Sequence, residues 1–413
     1  MKNIAGKIII LGCAGMLLVG MDGCEKQKEK QDKTVLNVIT DPSIQKEVNS
    51  IADFMMKTEE IEIKVKVLPS KEEGRDSEIQ KLQTQIMAGK GADVYLLDTS
   101  PDAAEMKTEL FANPYQTMQS GVLAPLDKYM ETDSYWEDTT YNEKILNAGQ
   151  YDGKQYMIPL SCYYYVLSGT NDIENITGDT LGEWLEQAEQ LDDSGLKEAI
   201  NGSLYLTSGR WFQPAADYEA QQVLFDKEKW ATFAKTYMRF RQEEIPDAAD
   251  NMEEQYQIQP VRSFIGGEEA FAKIIPDLEG RKMASIMTYG AVGMSSDQKE
   301  EAYEFLMLFL NDKIKEEGSE NVDQVLSGSA GIAVEKNEIK NWLSDRSEAT
   351  ISSVEESFEE LDGAYFITDA ERAMISNIRE TVEWGIEPDN GWDKFLSDLA
   401  DKVWKQYEMQ VKE

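Results

Sequence analysis

Histidine is absent from the 413-residue sequence. Serine and cysteine nucleophiles are usually activated by a histidine base, and histidine is also the commonest metal ligand. Glycoside hydrolysis by two carboxylates needs no histidine, so a carboxylate enzyme stays open as an alternative. Among 78 acidic residues, however, some pair is always available, and the pattern points to no particular site. We therefore expect a protein that is not an enzyme and needs no cofactor.

Cysteine is scarce, with Cys13, Cys24 and Cys162 as its three examples. None of them lies in a CxxC pair or in a spacing typical of zinc ligands. The sequence therefore predicts no metal site.

An apolar run near the amino terminus predicts secretion. The run covers 8–20, follows two lysines, and is shorter than the roughly 20 residues of a membrane-spanning helix, as in a signal peptide. It is followed by Gly23-Cys24, and a small residue before a cysteine at this place is similar to the lipobox of bacterial lipoproteins. We predict a signal peptide at 1–23, a lipid on Cys24 and a polar tether at 24–34, with Cys13 as the rival lipidation site.

Positive charge is also in short supply. Lysine and arginine number 41 against 78 acidic residues, which gives a net charge of -37. Nucleic-acid binding needs clustered lysine and arginine, so we expect no nucleic-acid partner. A self-repelling surface favours a soluble monomer. The length exceeds what one hydrophobic core normally spans, which predicts two packed units.

Three short strand-like segments, at 35–39, 61–67 and 94–97, alternate with two helical patterns. The segment 61–67 alternates apolar and charged residues, whereas 35–39 is a short, mainly apolar run and 94–97 is apolar throughout. Strand, helix, strand, helix, strand in this order indicates crossover units and a largely parallel sheet.

Polar residues follow the first and third of these strands. In parallel sheets, ligands bind beyond the carboxyl ends of the strands. Here those ends carry Asp41 and the run Asp98-Thr99-Ser100, and all four residues are candidate ligand contacts. An ordinary role for Asp98 as a turn former or helix cap stays open.

The stretch 151–170, YDGKQYMIPLSCYYYVLSGT, combines a polar turn with an aromatic and β-branched run. The run is too short for a core helix and predicts a strand. Because side chains alternate along a strand, Tyr163 and Tyr165 share one face and Tyr164 takes the other. One face can line a binding site while the other packs; a strand buried on both faces is the alternative.

The order of the segments LNVIT, GADVYLLD, GVLAPLDKYM, YDGKQYMIP and MTYGAVGMSSDQKEEAYEFLMLFL resembles that of the extracellular solute-binding proteins of ABC importers, in the carbohydrate-type family 1. The resemblance covers nearly the whole chain after Cys24. It implies an α/β fold with two lobes, each a mostly parallel sheet flanked by helices, that close like a clamshell on a ligand. Hinge closure of this kind is established for periplasmic binding proteins.

On the family's pattern, lobe 1 comprises 35–157 and 296–344, and lobe 2 comprises 158–295 and 345–413. The chain crosses between the lobes at 156–167, at 282–295 and after 331–334. A residue about four positions after the crossing proline commonly faces the ligand in relatives, and that position is Tyr163. The loop 207–212, after a strand-like segment at 203–206, lies where relatives contact the ligand.

This loop contributes Arg210 and Trp211, and the turn that ends the strand 286–290 contributes Tyr289. The glycine and arginine beside Trp211 favour an exposed aromatic platform, although a core position for Trp211 stays open. The resemblance implies a lipid-anchored receptor on the extracytoplasmic face of the cell membrane that captures a small polar ligand, most simply a sugar or oligosaccharide, for a permease. A surface sensor on the same fold is the further alternative.

Overall fold

The computed structural model describes residues 34–412, with gaps at 71, 100–107, 139–140, 170–172, 174, 191–193, 243–255, 264–270 and 311–330. The predicted signal peptide, Cys24 and Ser100 lie outside the described residues. Residues 34–413 group as one unit by their contacts, and every element below belongs to it.

The described residues form both strands and helices. The strands are β1 Thr34–Thr40, β2 Ile61–Val67, β3 Val94–Asp98, β4 Gln150–Tyr151, β5 Lys154–Gln155, β6 Met157–Tyr163, β7 Tyr165–Gly169, β8 Ala216–Asp217, β9 Gln222–Val223, β10 Tyr256–Pro260, β11 Phe271–Ile274, β12 Met283–Val292, β13 Ile332–Ala333 and β14 Gly363–Tyr365. The α-helices are α1 Gln45–Thr58, α2 Glu72–Met87, α3 Pro114–Gln119, α4 Asp127–Met130, α5 Tyr135–Asp138, α6 Glu143–Leu146, α7 Leu181–Gln190, α8 Ser194–Ser203, α9 Lys227–Gln242, α10 Lys299–Met307, α11 Asn337–Trp342, α12 Glu348–Glu359, α13 Asp369–Glu383 and α14 Gly391–Gln410. Short 3-10 helices cover Pro42–Ile44, Asn147–Gly149, Leu204–Arg210 and Val261–Ser263.

The largest sheet has the strand order β13-β6-β12-β3-β1-β2, with β14 paired to β12. Strand β1 is parallel to both β2 and β3, which confirms the three strands predicted at the start of the chain. Strand β12 lies antiparallel between β3 and β6 and makes the sheet mixed. A segment from late in the chain therefore completes the sheet that the first segments begin.

A second sheet has the order β10-β7-β11 and is antiparallel throughout. The chain enters it directly from the first sheet, because β7 begins two residues after β6 ends. Tyr164 stands between the two strands and packs in the core of the large sheet, whereas Tyr163 and Tyr165 pack in a second core. The predicted division of the three tyrosines between two faces is confirmed, and both faces are buried.

Two local predictions were wrong. The segment 203–206 is not a strand, because α8 runs to Ser203 and the 3-10 helix Leu204–Arg210 follows. There the Thr207 hydroxyl donates to the Leu204 carbonyl at 2.7 Å, a local bond that competes with strand pairing. Strand β12 does not end at Gly290 but continues to Val292. At Gly290 a Cβ atom would lie 2.6 Å from Leu306 Cδ2, so a larger residue there would require the Leu306 side chain to shift.

In the described part of the chain, no helix has both the length and the apolar character needed to cross a membrane.

Candidate functional site

Asp41 follows β1 and is held in place by a buried ion pair. Its Oδ1 accepts from Arg75 Nη2 at 2.8 Å, and both side chains are at most 2% exposed. Arg75 also donates to the backbone carbonyls of Pro69 at 3.0 Å and Thr108 at 2.6 Å. The pair therefore has the additional hydrogen bonds that a buried charge pair needs to offset its desolvation.

The end of β3 lies against the same carboxylate. The Asp98 backbone N–H donates to Asp41 Oδ2 at 3.2 Å, so the two strand ends meet as the sequence predicts. Thr99 is fixed to β12, because its hydroxyl donates to the Ile286 carbonyl at 2.5 Å and its N–H donates to the Met287 carbonyl at 2.6 Å. Asp98 and Thr99 are both buried.

Tyr289 approaches this end of the sheet from β12 and is 1% exposed. Its ring meets the ring of Phe366 edge to face, with centroids 5.1 Å apart. Burial raises the pKa of Tyr289 well above its usual value, and the carboxylates of Glu109 and Asp41 add to the rise. The hydroxyl is therefore neutral at ordinary pH and keeps its proton for hydrogen bonding.

Arg210 lies in the second core, above the aromatic pair formed by Tyr163 and Tyr165. The two rings pack edge to face at 5.3 Å, and the guanidinium carbon lies 4.7 Å from the Tyr163 centroid and 5.5 Å from the Tyr165 centroid. Arg210 Nη2 donates to Ser285 Oγ at 2.9 Å. This cation–π arrangement places a fixed positive charge beside the strand that joins the two cores.

Trp211 does not form an exposed platform, and that interpretation was wrong. The side chain is 1% exposed, and its indole N–H donates to Thr207 Oγ1 at 2.8 Å. Its ring packs against Trp230 and Tyr237, with centroids 5.7 Å and 5.6 Å away. The helical periodicity of these partners can be read on α9, but no pattern in the sequence shows that a residue beside Arg210 packs onto that face.

Three contacts connect elements of the first core with elements of the second. Arg372 Nη2, on α13, lies 3.3 Å from Glu109 Oε1, and both side chains are 6% exposed. The rings of Tyr115 and Tyr218 are stacked, with centroids 4.3 Å apart and planes 10° from parallel. The third contact is a hydrogen bond that Gln116 Nε2 donates to the Gln410 carbonyl at 3.0 Å. We call these three pairs the inter-core contacts.

Glu371 is a buried carboxylate that the sequence prediction missed. It accepts from the Thr368 N–H at 2.8 Å, the Tyr407 hydroxyl at 2.7 Å and the Gln213 amide at 3.3 Å. Thr368 and Glu371 form a capping box at the start of α13, and that pattern was readable in the sequence. Arg75, Glu109 and Arg372 were missed as well, and nothing in their local sequence distinguishes them from other charged residues.

The structure thus groups the predicted residues into two sets. Asp41, Asp98, Thr99 and Tyr289 lie together at the end of the large sheet, and Tyr163, Tyr165 and Arg210 lie together in the second core. Cys162 is the one cysteine in the described ranges, and burial raises the pKa of its thiol, which disfavours the reactive thiolate.

Comparison with solved structures identifies the fold. An extracellular solute-binding protein of family 1 from Alicyclobacillus acidocaldarius matches with a TM-score of 0.57 at 13% identity, over 92% of this chain and 99% of that one. A periplasmic oligogalacturonide binding protein from Yersinia enterocolitica matches with a TM-score of 0.54 at 13% identity, over 91% and 100%. The chain has the two-lobed α/β fold of the solute-binding proteins. The predicted α/β fold class is confirmed, but its sheets are not mostly parallel, because the large sheet is mixed and the second sheet is antiparallel throughout.

A third neighbour is an ABC substrate-binding protein from Listeria monocytogenes in complex with cycloalternan, with a TM-score of 0.51 at 16% identity, over 91% and 99%. Many of the structural neighbours are sugar-binding proteins of ABC importers, in agreement with the resemblance seen in the sequence. No protein-family model matches the chain, and no curated protein matches it.

Proposed function

We propose that this protein is an extracytoplasmic receptor that captures a small polar solute, a sugar or oligosaccharide, and delivers it to the permease of an ABC importer. The observation that carries this proposal is the match to binding proteins over more than nine-tenths of the chain, at 91% and 92% coverage. The neighbours are binding proteins rather than enzymes, which favours binding over catalysis for this chain.

The proposed ligand contacts are the two sets of residues described above. Asp41, Asp98 and Thr99 carry oxygen atoms that suit sugar hydroxyls, and the neutral hydroxyl of Tyr289 is a suitable donor. Tyr163 and Tyr165 offer aromatic rings to the C–H face of a sugar and phenol hydroxyls to its hydroxyl groups, with Arg210 as a further donor beside them. Trp211, which is buried against Trp230, is not among the proposed contacts.

Arg210 is partly exposed, but the other side chains of the two sets are buried, so a ligand reaches them only when the two cores separate. The inter-core contacts are the interactions that separation breaks. In this proposal, ligand binding re-forms the closed arrangement with additional contacts, since a ligand shifts an equilibrium only through its higher affinity for one state.

Native mass spectrometry of freshly purified protein tests the proposal. We expect a retained oligosaccharide, whose mass identifies the ligand class, and titration calorimetry with that sugar then gives its affinity. Tyr163→Phe is expected to weaken binding about tenfold through loss of one hydrogen bond, whereas Tyr164→Phe, on the opposite face of the same strand, should leave it unchanged. Equal effects of the two substitutions would contradict the proposed site.

The membrane anchor is proposed separately, at Cys24. We expect Cys24→Ala to release the protein from the membrane fraction without changing its fold, and Cys13→Ala is the matched control. Release by Cys13→Ala alone would assign the lipid to the rival cysteine.

A further inference from the structure

A cavity of about 780 Å³ lies beside the edge strand β11, away from the residues proposed to bind the transported solute. Its walls come from α12, from the loop before α7 and from the turn between β11 and β12. Ser357 on α12 lines it and lies 3.0 Å from the Tyr164 hydroxyl. Ser357 therefore brings the cavity next to Tyr164, and its lining does not include Tyr163, Tyr165 or Arg210. Its volume is within the range typical of small-molecule sites.

The edge of β11 presents backbone groups to this cavity. Ile275 donates its N–H to the Tyr165 carbonyl on β7, so the odd-numbered positions of β11 face the ladder and Ala272 and Ile274 face away from it. Ser353 satisfies Ala272, accepting from its N–H at 2.8 Å and donating to its carbonyl at 3.2 Å. The backbone N–H and C=O of Ile274 are bonded neither by β7 nor by any side chain in the described ranges. One donor and one acceptor at fixed spacing thus line the cavity.

The walls around these groups are held by hydrogen bonds of their own. Asp277 accepts from the backbone N–H groups of Glu279 at 2.7 Å and Arg281 at 2.8 Å, which fixes the turn after β11. The Trp184 indole donates to the Gly178 carbonyl at 2.7 Å, which fixes the loop before α7. A cavity with fixed walls loses little entropy when it binds a ligand.

The charges that line the cavity indicate which ligand it suits. Asp179, Glu356, Glu360 and Asp362 provide four carboxylates, against the ammonium groups of Lys273 and Lys282. Lys282 Nζ already lies 2.5 Å from Glu360 Oε2, and Lys273 donates to the Ile176 carbonyl. The net charge of the lining is negative, which disfavours an anion. The half-buried ring of Phe271 adds an apolar surface among these acceptors.

We propose that this cavity is a second binding site, for a neutral polyhydroxylated ligand such as a short oligosaccharide. Sugar hydroxyls both donate and accept, and so match the paired N–H and C=O of Ile274. Glu356 accepts from further hydroxyls, and the Phe271 ring packs against the C–H face of the sugar. The site is separate from the one proposed for the transported solute, and it stands if that proposal fails.

Fluorine NMR of the full chain labelled with 5-fluorotryptophan tests the proposal, because Trp184 lines the cavity. Its resonance is assigned with Trp184→Phe. We expect millimolar maltotriose or mannotriose to shift this resonance saturably, and trigalacturonate, an anion, to bind at least tenfold more weakly. Tyr163→Phe should leave the Trp184 shift unchanged, which separates this site from the proposed cleft.

Three variants of α12 complete the test. Ala349→Phe places a ring in the cavity from an exposed position and should abolish the shift. Glu356→Gln should weaken binding about tenfold by removing a charged acceptor, whereas Glu348→Gln makes the same charge change on the same helix outside the lining and should have no effect. The proposal is overturned if neither neutral probe shifts the Trp184 resonance, or if the shift persists in Ala349→Phe. Equal binding by Glu356→Gln and Glu348→Gln would also overturn it.

Discussion

The two hydrophobic cores of this protein are built from different side chains. The first consists largely of aliphatic residues on the strands of the large sheet and on α1 and α2. The second has a larger share of aromatic rings, with Trp211 in contact with Trp230, Phe233 and Tyr237. In the first core the burial free energy is divided among many similar residues. In the second, a few large rings carry much of it, and a single truncation there should cost more.

Raising the pH into the alkaline range should lower the free energy of unfolding more than any substitution below, and it should act on both cores. Burial raises the pKa of Tyr95 in the first core and of Tyr237 in the second to about 12. The unfolded chain loses these protons near pH ~10, so each contribution to stability is complete below that pH and is lost as pH rises toward the folded value. Each tyrosine should remove about 1.4 kcal/mol per pH unit in that window.

Urea unfolding at pH 9, 10 and 11 measures this loss. Tyr95→Phe and Tyr237→Phe should each make the free energy of unfolding fall less steeply with pH, by about 1.4 kcal/mol per pH unit. Tyr95 reports on the first core and Tyr237 on the second, so the two variants compare the cores directly. With no histidine in the chain, stability should change little between pH 7 and 8.5. A slope that only one of the two substitutions reduces would show that the cores respond unequally to alkali.

Truncation of the Trp211 side chain should cause the next largest loss of stability. Trp211→Ala is expected to lower the free energy of unfolding by about 3–5 kcal/mol, because the ring leaves a cavity among aromatic neighbours that cannot collapse around it. Leu36→Ala, at a fully buried position of the first core, provides the aliphatic reference and should cost about 2–4 kcal/mol. If Trp211→Ala melts like the wild type and fails to bind sugar, Trp211 belongs to the ligand site and the comparison of the cores is wrong.

The smallest expected effect comes from the contacts between the cores. Arg372→Ala removes one partner of the buried pair with Glu109, at a cost of up to about 3 kcal/mol. Separation of the cores would return Glu109 to water, so we also expect a larger radius of gyration in small-angle scattering. Arg379→Ala, on the same helix but in a more exposed pair with Glu383, is the control and should cost about 0.3–0.5 kcal/mol. An unchanged radius for Arg372→Ala would show that the pair does not hold the cores together.

The first core could be predicted from the sequence because its apolar residues recur at the regular spacings of strands and helices. The alternation of Ile61 and Ile63 with charged residues specifies a strand with one exposed face, and the helical stripe from Ile44 to Met55 specifies the face of α1 that packs on it. The alternation rule also placed Tyr164 in a different core from Tyr163. In each case a local pattern and the final packing agree.

The second core and the site could be predicted only in part. The segment 203–206 has the composition of a strand but is helical, and the Tyr205 N–H donates to the hydroxyl of Tyr237 on a later helix. The burial of Trp211 depends in the same way on α9, whose sequence is separate from the loop. The pairing of Glu109 with Arg372 joins residues 263 positions apart, which no local pattern reports. The lobe boundaries and the ligand contacts remain predictions.

Strand β12 has a consequence for the order in which the chain can fold. Thr99 bonds to residues 187 and 188 positions later in the sequence, so β3 keeps one open edge until β12 has been made. At a synthesis rate of roughly 5–20 residues per second, that edge waits on the order of 10–40 s after β3 is complete. During this interval the nascent chain carries an apolar strand with unpaired backbone groups, which is the kind of surface that aggregates or recruits a chaperone. The largest sheet of the protein therefore cannot close until the segment that forms β12 has been made.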